Sequence, residues 1–127
     1  MNEVPVPACA CGHNHATQAC VRPDPAGAEI ALSGQIACAD MGQLMTLLAH
    51  VEAHVAASRA EPGCLFFEIA QTDDPLVWQV EELFRDAAAL AAHRARTRAS
   101  QWGAATAHIP RQIRQIAARD ETATKAV

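Results

Sequence analysis

The sequence lacks the features that would direct a chain into or across a membrane. It contains no run of eighteen apolar residues, so we expect no transmembrane helix. Its first fifteen residues, MNEVPVPACACGHNH, lack a basic region followed by an apolar stretch, so we expect no secretory signal in them. We expect a cytoplasmic protein, in which clustered cysteines serve metal or redox chemistry more often than structural disulfides.

Large side chains and, in one region, acidic residues are also scarce. Aromatics make up 4% of the 127 residues, and much of the 50% that is hydrophobic is alanine. Such a single domain has a thin core, which a second subunit would help to cover.

The net charge of −4 argues against a general nucleic-acid binder. Positions 94–119 contain no acid but six arginines, which form either a solvated helix face or an attractive site for an anionic ligand: Arg94, Arg96, Arg98, Arg111, Arg114 and Arg119.

Residues 1–27 are predicted to form a flexible extension, because they contain four prolines and no hydrophobic periodicity. The extension is rich in possible metal ligands, namely Cys9, Cys11, His13, His15 and Cys20. Four of these five groups would make a tetrahedral Zn²⁺ site, and thiolates with few other ligands would also suit Cu(I). A redox-active CxC pair and an unstructured tail with incidental cysteines are the alternatives.

The hydrophobic pattern after residue 28 predicts alternating strands and helices. We expect a strand at 29–39 with a bulge at Gly34, followed by a helix that begins after an Asp40 cap and ends at about Ala60. Two further strands are expected at 64–71 and 76–84. A second helix should begin after an Asp86 cap and break near Thr97. Residues 106–117 fit either a helix or a final strand. We expect residues 118–127 to form a frayed tail. This order is the α+β, ferredoxin-like split βαβ plan, with helices on one face of an antiparallel sheet and a second copy covering the other face.

One stretch, EPGCLFFEIAQTDDPLVWQVEELFRDAAALAAH at 61–93, resembles the signature of antibiotic biosynthesis monooxygenase (ABM) domains. The features that carry the resemblance are Pro62, Gly63, Cys64, Phe67, Asp74, Pro75, Glu82, Phe84, Ala89, Leu90 and His93. The resemblance covers about residues 28–117. It implies a dimeric α/β barrel of ferredoxin-like subunits, and a cofactor-independent oxygenation of quinols or anthrones in a pocket between the sheet and the helices.

The resemblance also implies which residues act. His93 matches the family histidine, which as a base would take a proton from a quinol so that the resulting anion reacts with oxygen. Glu82 is similar to the family glutamate, although a capping or salt-bridge role would explain it equally well. The candidates for contacting a small aromatic substrate are Trp78, Phe67, Phe84, Trp102, His50 and His54. Each tryptophan also fits a plain core role. The two helix histidines, four residues apart, also fit an exposed helix edge or a metal-chelating pair.

Three functions remain open at this point. The first is an oxygenase that needs no cofactor, and the second is a non-catalytic copper- or zinc-handling protein built on the same barrel. The third is a haem-binding or haem-degrading member, in which His93 would lie near the iron. The best-understood family members use an Asn on the first strand. Its absence here counts against the third function, and the cysteine-rich extension favours the second.

Overall fold

The computed structural model describes residues 21–118. Its elements, in chain order, are β1 (Ile30–Ala37), α1 (Met41–Arg59), β2 (Cys64–Gln71), β3 (Val77–Phe84), α2 (Ala87–Arg98), α3 (Gln101–Thr106) and β4 (Arg111–Ala117). The four strands form one antiparallel sheet in the order β2-β3-β1-β4, which confirms the ferredoxin-like α+β plan. The sheet is open, with β2 and β4 at its edges. The predicted metal ligands Cys9, Cys11, His13, His15 and Cys20 lie outside the described residues.

The helices begin where short polar side chains satisfy free backbone N–H groups. Asp40 accepts a hydrogen bond from the backbone N–H of Gln43 at 2.9 Å, and Asp86 accepts one from Ala89 at 2.8 Å. Both predicted caps are therefore confirmed. The predicted break near Thr97 is also present, because Ser100 caps a new helix by accepting from the Gly103 N–H at 3.1 Å.

The prediction of a bulge at Gly34 is wrong. Gly34 pairs in register with Val80 on one side and Ile113 on the other. The bulge lies instead in β2, between Cys64 and Phe66. Glycine is required at position 34 for a different reason: a Cβ there would clash with the backbone of the adjacent strand β4.

Alternation along the strands separates two apolar faces. Trp78, Val80, Glu82 and Phe84 share the face beneath the helices, and the buried side chains of this face pack against α1, α2 and α3. A smaller cluster of Ala31, Phe66, Leu83 and Ile116 lies on the opposite face. The ambiguous segment after residue 106 ends in strand β4, which pairs with the edge of β1 that β3 leaves free. Within residues 21–118, no helix has both the length and the apolar character needed to cross a membrane.

Candidate active site

A cavity of about 280 Å³ lies between the sheet and the helices. Its apolar wall comes mainly from strand residues and its polar groups mainly from α1, α2 and β3. The lining residues are Leu32, Ile36, His54, Phe67, Ile69, Val80, Glu82, Leu90, His93, Arg94, Thr97, Arg98, Trp102, Arg111 and Ile113. A concave apolar site with a few convergent polar groups is the usual form of a small-molecule site.

His93 is held in one orientation by Glu61. The Nδ1 atom of His93 lies 2.9 Å from Oε1 of Glu61, and since a carboxylate only accepts, Nδ1 carries the hydrogen. Nε2 is then the basic nitrogen, 3.4 Å from Oγ1 of Thr97 and 3.8 Å from Oε1 of Glu82. The Nε atom of Arg96 donates to the other oxygen of Glu61, so the carboxylate is fixed from both sides.

The burial of His93 keeps its ring neutral near pH 7. Loss of solvent lowers the pKa of His93, and the hydrogen bond and negative charge of Glu61 only partly oppose this shift. An oriented neutral imidazole with an unprotonated ring nitrogen is the form that a general base requires.

Glu82 is a buried acid that is partly protonated at neutral pH. Burial is the main cause that raises its pKa to about 7, and the negative charges of Glu61 and Glu81 act in the same direction. The positive charge of Arg94 opposes the shift. The cavity therefore contains one group suited to accept a proton and another suited to donate one.

His54 forms a flat wall of the cavity together with Trp102. Their rings are parallel, with centroids 4.6 Å apart and planes 3° apart, and Phe67 meets the imidazole edge-on at 5.3 Å. Burial is the main cause that lowers the pKa of His54 to about 3, followed by repulsion from His93 at the low pH where that ring is protonated. His54 is therefore uncharged at neutral pH. Its Nδ1 atom is buried without a hydrogen-bond partner among residues 21–118.

The structure brings together five of the eight residues named for catalysis and substrate contact: His93, Glu82, Phe67, Trp102 and His54 line the cavity. The other three lie elsewhere. Phe84 packs behind His93 at a centroid distance of 4.8 Å, Trp78 belongs to the core, and His50 is half-buried on α1 away from the cavity.

Sequence reasoning did not identify Glu61 and Thr97 as residues of the site. Glu61 stands in the EPG segment, which signals only the end of a helix, and it is 32 positions from its partner His93. In the sequence, only the position of Glu61 directly before the Pro-Gly-Cys of the family signature pointed to a role in the site.

Within residues 21–118, no group of three or more His, Cys, Asp or Glu side chains is arranged to bind a metal ion.

Comparisons with known proteins agree with this architecture. The family model for antibiotic biosynthesis monooxygenase matches residues 34–105. PA3566 from Pseudomonas aeruginosa is 26% identical, with a TM-score of 0.59 over 74% of this chain and 97% of that one. Rv0793 from Mycobacterium tuberculosis is 22% identical, with a TM-score of 0.58 over 75% and 99%. A Bacteroides thetaiotaomicron protein, provisionally called an antibiotic biosynthesis monooxygenase, is 21% identical, with a TM-score of 0.61 over 80% and 99%. No curated protein matches the chain.

Proposed function

Because this chain belongs to the antibiotic biosynthesis monooxygenase family, we propose that it is a monooxygenase that oxidises a quinol or a similar hydroxylated aromatic without a cofactor. The observation that carries this proposal is the neutral His93, whose Nδ1 is fixed by Glu61 and whose unprotonated Nε2 lies beside Thr97 and Glu82 in an apolar cavity.

The size of the cavity supports a substrate of one or two fused rings. An engineered cavity of roughly 150 Å³ is enough to bind benzene. The present cavity, at about 280 Å³, is nearly twice that volume. The stacked pair of His54 and Trp102 offers a flat surface on which such a ring would lie. A tetrapyrrole is much larger than two fused rings, so the volume favours a quinol over haem.

The proposed reaction begins with a proton transfer from a substrate hydroxyl to Nε2 of His93. The resulting electron-rich ring anion reduces O₂ and forms a bond from a ring carbon to oxygen, which gives a hydroperoxide after protonation. The same ring carbon then loses its hydrogen as the O–O bond breaks, so that one oxygen stays on the ring as a carbonyl and the other leaves with that hydrogen as water. The ring loses four electrons and two hydrogens, and O₂ gains the four electrons.

Glu82 would supply the proton for the peroxide oxygen. A carboxyl with a pKa of about 7 is protonated often enough at neutral pH to act as an acid. Its Oε1 lies 3.8 Å from Nε2 of His93, so a small movement or one water would return the proton from His93 to Glu82. The two groups would then finish the cycle in their starting states.

We also propose that the protein is a homodimer, as members of this family typically are. In a dimer, the open sheet of one subunit would be covered by the sheet of the other. Sedimentation equilibrium at micromolar concentration tests this proposal, because a single species at the monomer mass of 13.5 kDa would contradict it.

The experiment that tests the function is oxygen uptake with a panel of one- and two-ring quinols, with autoxidation subtracted. We expect His93→Ala to lower kcat by about a hundred- to ten-thousandfold, the usual contribution of a general base. His108→Ala is the matched control, because His108 is exposed and lies outside the cavity. If His93→Ala retained full turnover, His93 would not be the base. If the unmodified protein consumed no oxygen with any quinol, the proposed function would be wrong.

A further inference from the structure

Three arginines line the cavity: Arg94, Arg98 and Arg111. Arg94 and Arg98 are four residues apart on α2, so their side chains lie on the same face of the helix. Leu90, one turn earlier, also lines the cavity and is buried, whereas both arginines are exposed. The positive charges therefore lie where this wall of the cavity reaches solvent.

None of these three arginines pairs with a carboxylate among residues 21–118. Arg94 donates only to the Gln115 side chain, at 3.5 Å, and Arg111 donates to the backbone carbonyls of Thr106 and Ile109. The described arginines that form ion pairs do not line the cavity: Arg22 with Glu81, Arg59 with Glu68, Arg85 with Asp86, and Arg96 with Glu61. The guanidinium groups of Arg94 and Arg98 thus keep donors available to a ligand, whereas Arg111 already uses two of its donors.

The helix dipole explains only part of this arrangement. Arg98 is in the last turn of α2, where a cation is favourable. The dipole does not explain Arg111, which begins a strand, and Arg94 and Arg98 repel each other at a spacing of four residues. Among residues 21–118, Glu82 is the only acid that lines the cavity, and its charge is reduced near neutral pH because burial raises its pKa to about 7. The cavity is therefore positively charged overall.

We propose that the cavity binds an aromatic carboxylate, with the ring against the apolar wall and the carboxylate on Arg94 and Arg98. A guanidinium group matches a carboxylate geometrically and can donate two parallel hydrogen bonds to it. This proposal rests on the proposed function for the assignment of that ligand as the substrate: a hydroxylated aromatic carboxylate rather than a neutral quinol.

Anion recognition can be measured without turnover. Isothermal titration calorimetry with 2-naphthoate and with methyl 2-naphthoate compares two ligands of the same ring system that differ in charge. We expect the carboxylate to bind about tenfold more tightly at low salt, and the preference to shrink as salt is added. The double variant Arg94→Gln with Arg98→Gln should abolish the preference.

Arg114→Gln is the matched control. Arg114 is exposed on β4, next to the cavity-lining Ile113, and therefore lies on the opposite face of the sheet. The Arg114→Gln variant should retain the preference for the carboxylate over the ester. Equal binding of the acid and the ester, binding of neither, or the same loss in Arg114→Gln as in the double variant would each overturn the proposal.

Oxygen uptake separates this proposal from the proposed function. The probes are 1,4-dihydroxy-2-naphthoate and 1,4-dihydroxynaphthalene, with autoxidation subtracted. A lower KM for the carboxylate, lost in the double variant, would support both proposals. Carboxylate-selective binding without enzymatic uptake would leave the anion site in place and contradict the oxygenase. Equal uptake of both probes without selective binding would support the oxygenase and contradict the anion site.

Discussion

At the scale of single residues, the chemistry of the cavity depends on charges that neighbouring side chains impose. Glu61 illustrates this, because its carboxylate stabilises the protonated form of His93 and so raises the pKa of the imidazole against the effect of burial. In Glu61→Gln the pKa of His93 should fall further. A base works in its unprotonated form, which exists above its pKa, so the acid limb of the kcat–pH profile should move to lower pH.

The same substitution should also lower the plateau of kcat, because a weaker base removes a proton less readily. Turnover of a quinol measured from pH 5 to 8 checks both effects. Glu52→Gln, which removes an exposed carboxylate on α1, is the control. An acid limb that stayed in place in Glu61→Gln would show that His93 does not govern the profile.

Glu82 should make the protein less stable as pH rises. Its pKa in the folded state, about 7, lies above the ordinary value of 4.5. The unfolded chain therefore releases this proton first, and the free energy of unfolding falls as the pH rises from about 4.5 to about 7. Glu82→Gln should remove that fall and stabilise the protein at pH 8 by about 3 kcal/mol at most.

Urea unfolding at pH 5 and pH 8 measures this effect. The substitution should change stability at pH 8 much more than at pH 5, since Glu82 is protonated in the folded protein at the lower pH. An equal change at both values would mean that Glu82 is not held in its protonated form by burial.

At the scale of elements, the pairing of β1 with β4 depends on Gly34. In Gly34→Ala the new methyl carbon would lie 2.5 Å from the Cα of Ile113, and the obstacle is backbone that cannot rotate away. We expect a destabilisation of about 3 kcal/mol, at the upper end of the range for an overpacked interior. Urea unfolding measures it, with Gly42→Ala as a control that should be neutral or slightly stabilising, because Gly42 is in a helix. If both substitutions behaved alike, the two strands would be able to separate at little cost.

The elements that the sequence predicted correctly follow from local rules. Asp40 and Asp86 cap helices through hydrogen bonds that span three residues, and the β2–β3 hairpin follows from alternation around a turn. The bulge at Cys64 and the close approach at Gly34 depend on how neighbouring strands meet. The pattern within one strand does not contain that information.

The sequence predicted the residues of the candidate site about as well as it predicted the helices and strands. His93 and Glu82 were identified through the family resemblance. Glu61 was not, because its role exists only after folding brings the end of α1 to the middle of α2. Trp78 alternates correctly with Glu82 along β3, but the strand extends beyond the cavity at that end.

At the scale of the whole molecule, the N-terminal extension contains thiols and imidazoles that the proposed reaction does not use. We propose that it binds Cu(I) or Zn²⁺ through Cys9 and Cys11 together with His13, His15 and Cys20. In the full chain, Cys9→Ser with Cys11→Ser should lower the bound metal from about one equivalent to near zero while the melting temperature stays unchanged. Elemental mass spectrometry of protein purified under reducing, chelator-free conditions measures the metal. The same metal content in the variant would exclude this site.

The stacking of Trp102 on His54 also gives the protein a built-in optical reporter. The chain has two tryptophans and no tyrosine, so its near-ultraviolet fluorescence comes almost entirely from Trp78 and Trp102. Trp102 lines the cavity, whereas Trp78 does not. In a Trp78→Phe variant the remaining emission would report on the cavity alone, and the arrival of an aromatic ligand could be followed in real time without a label.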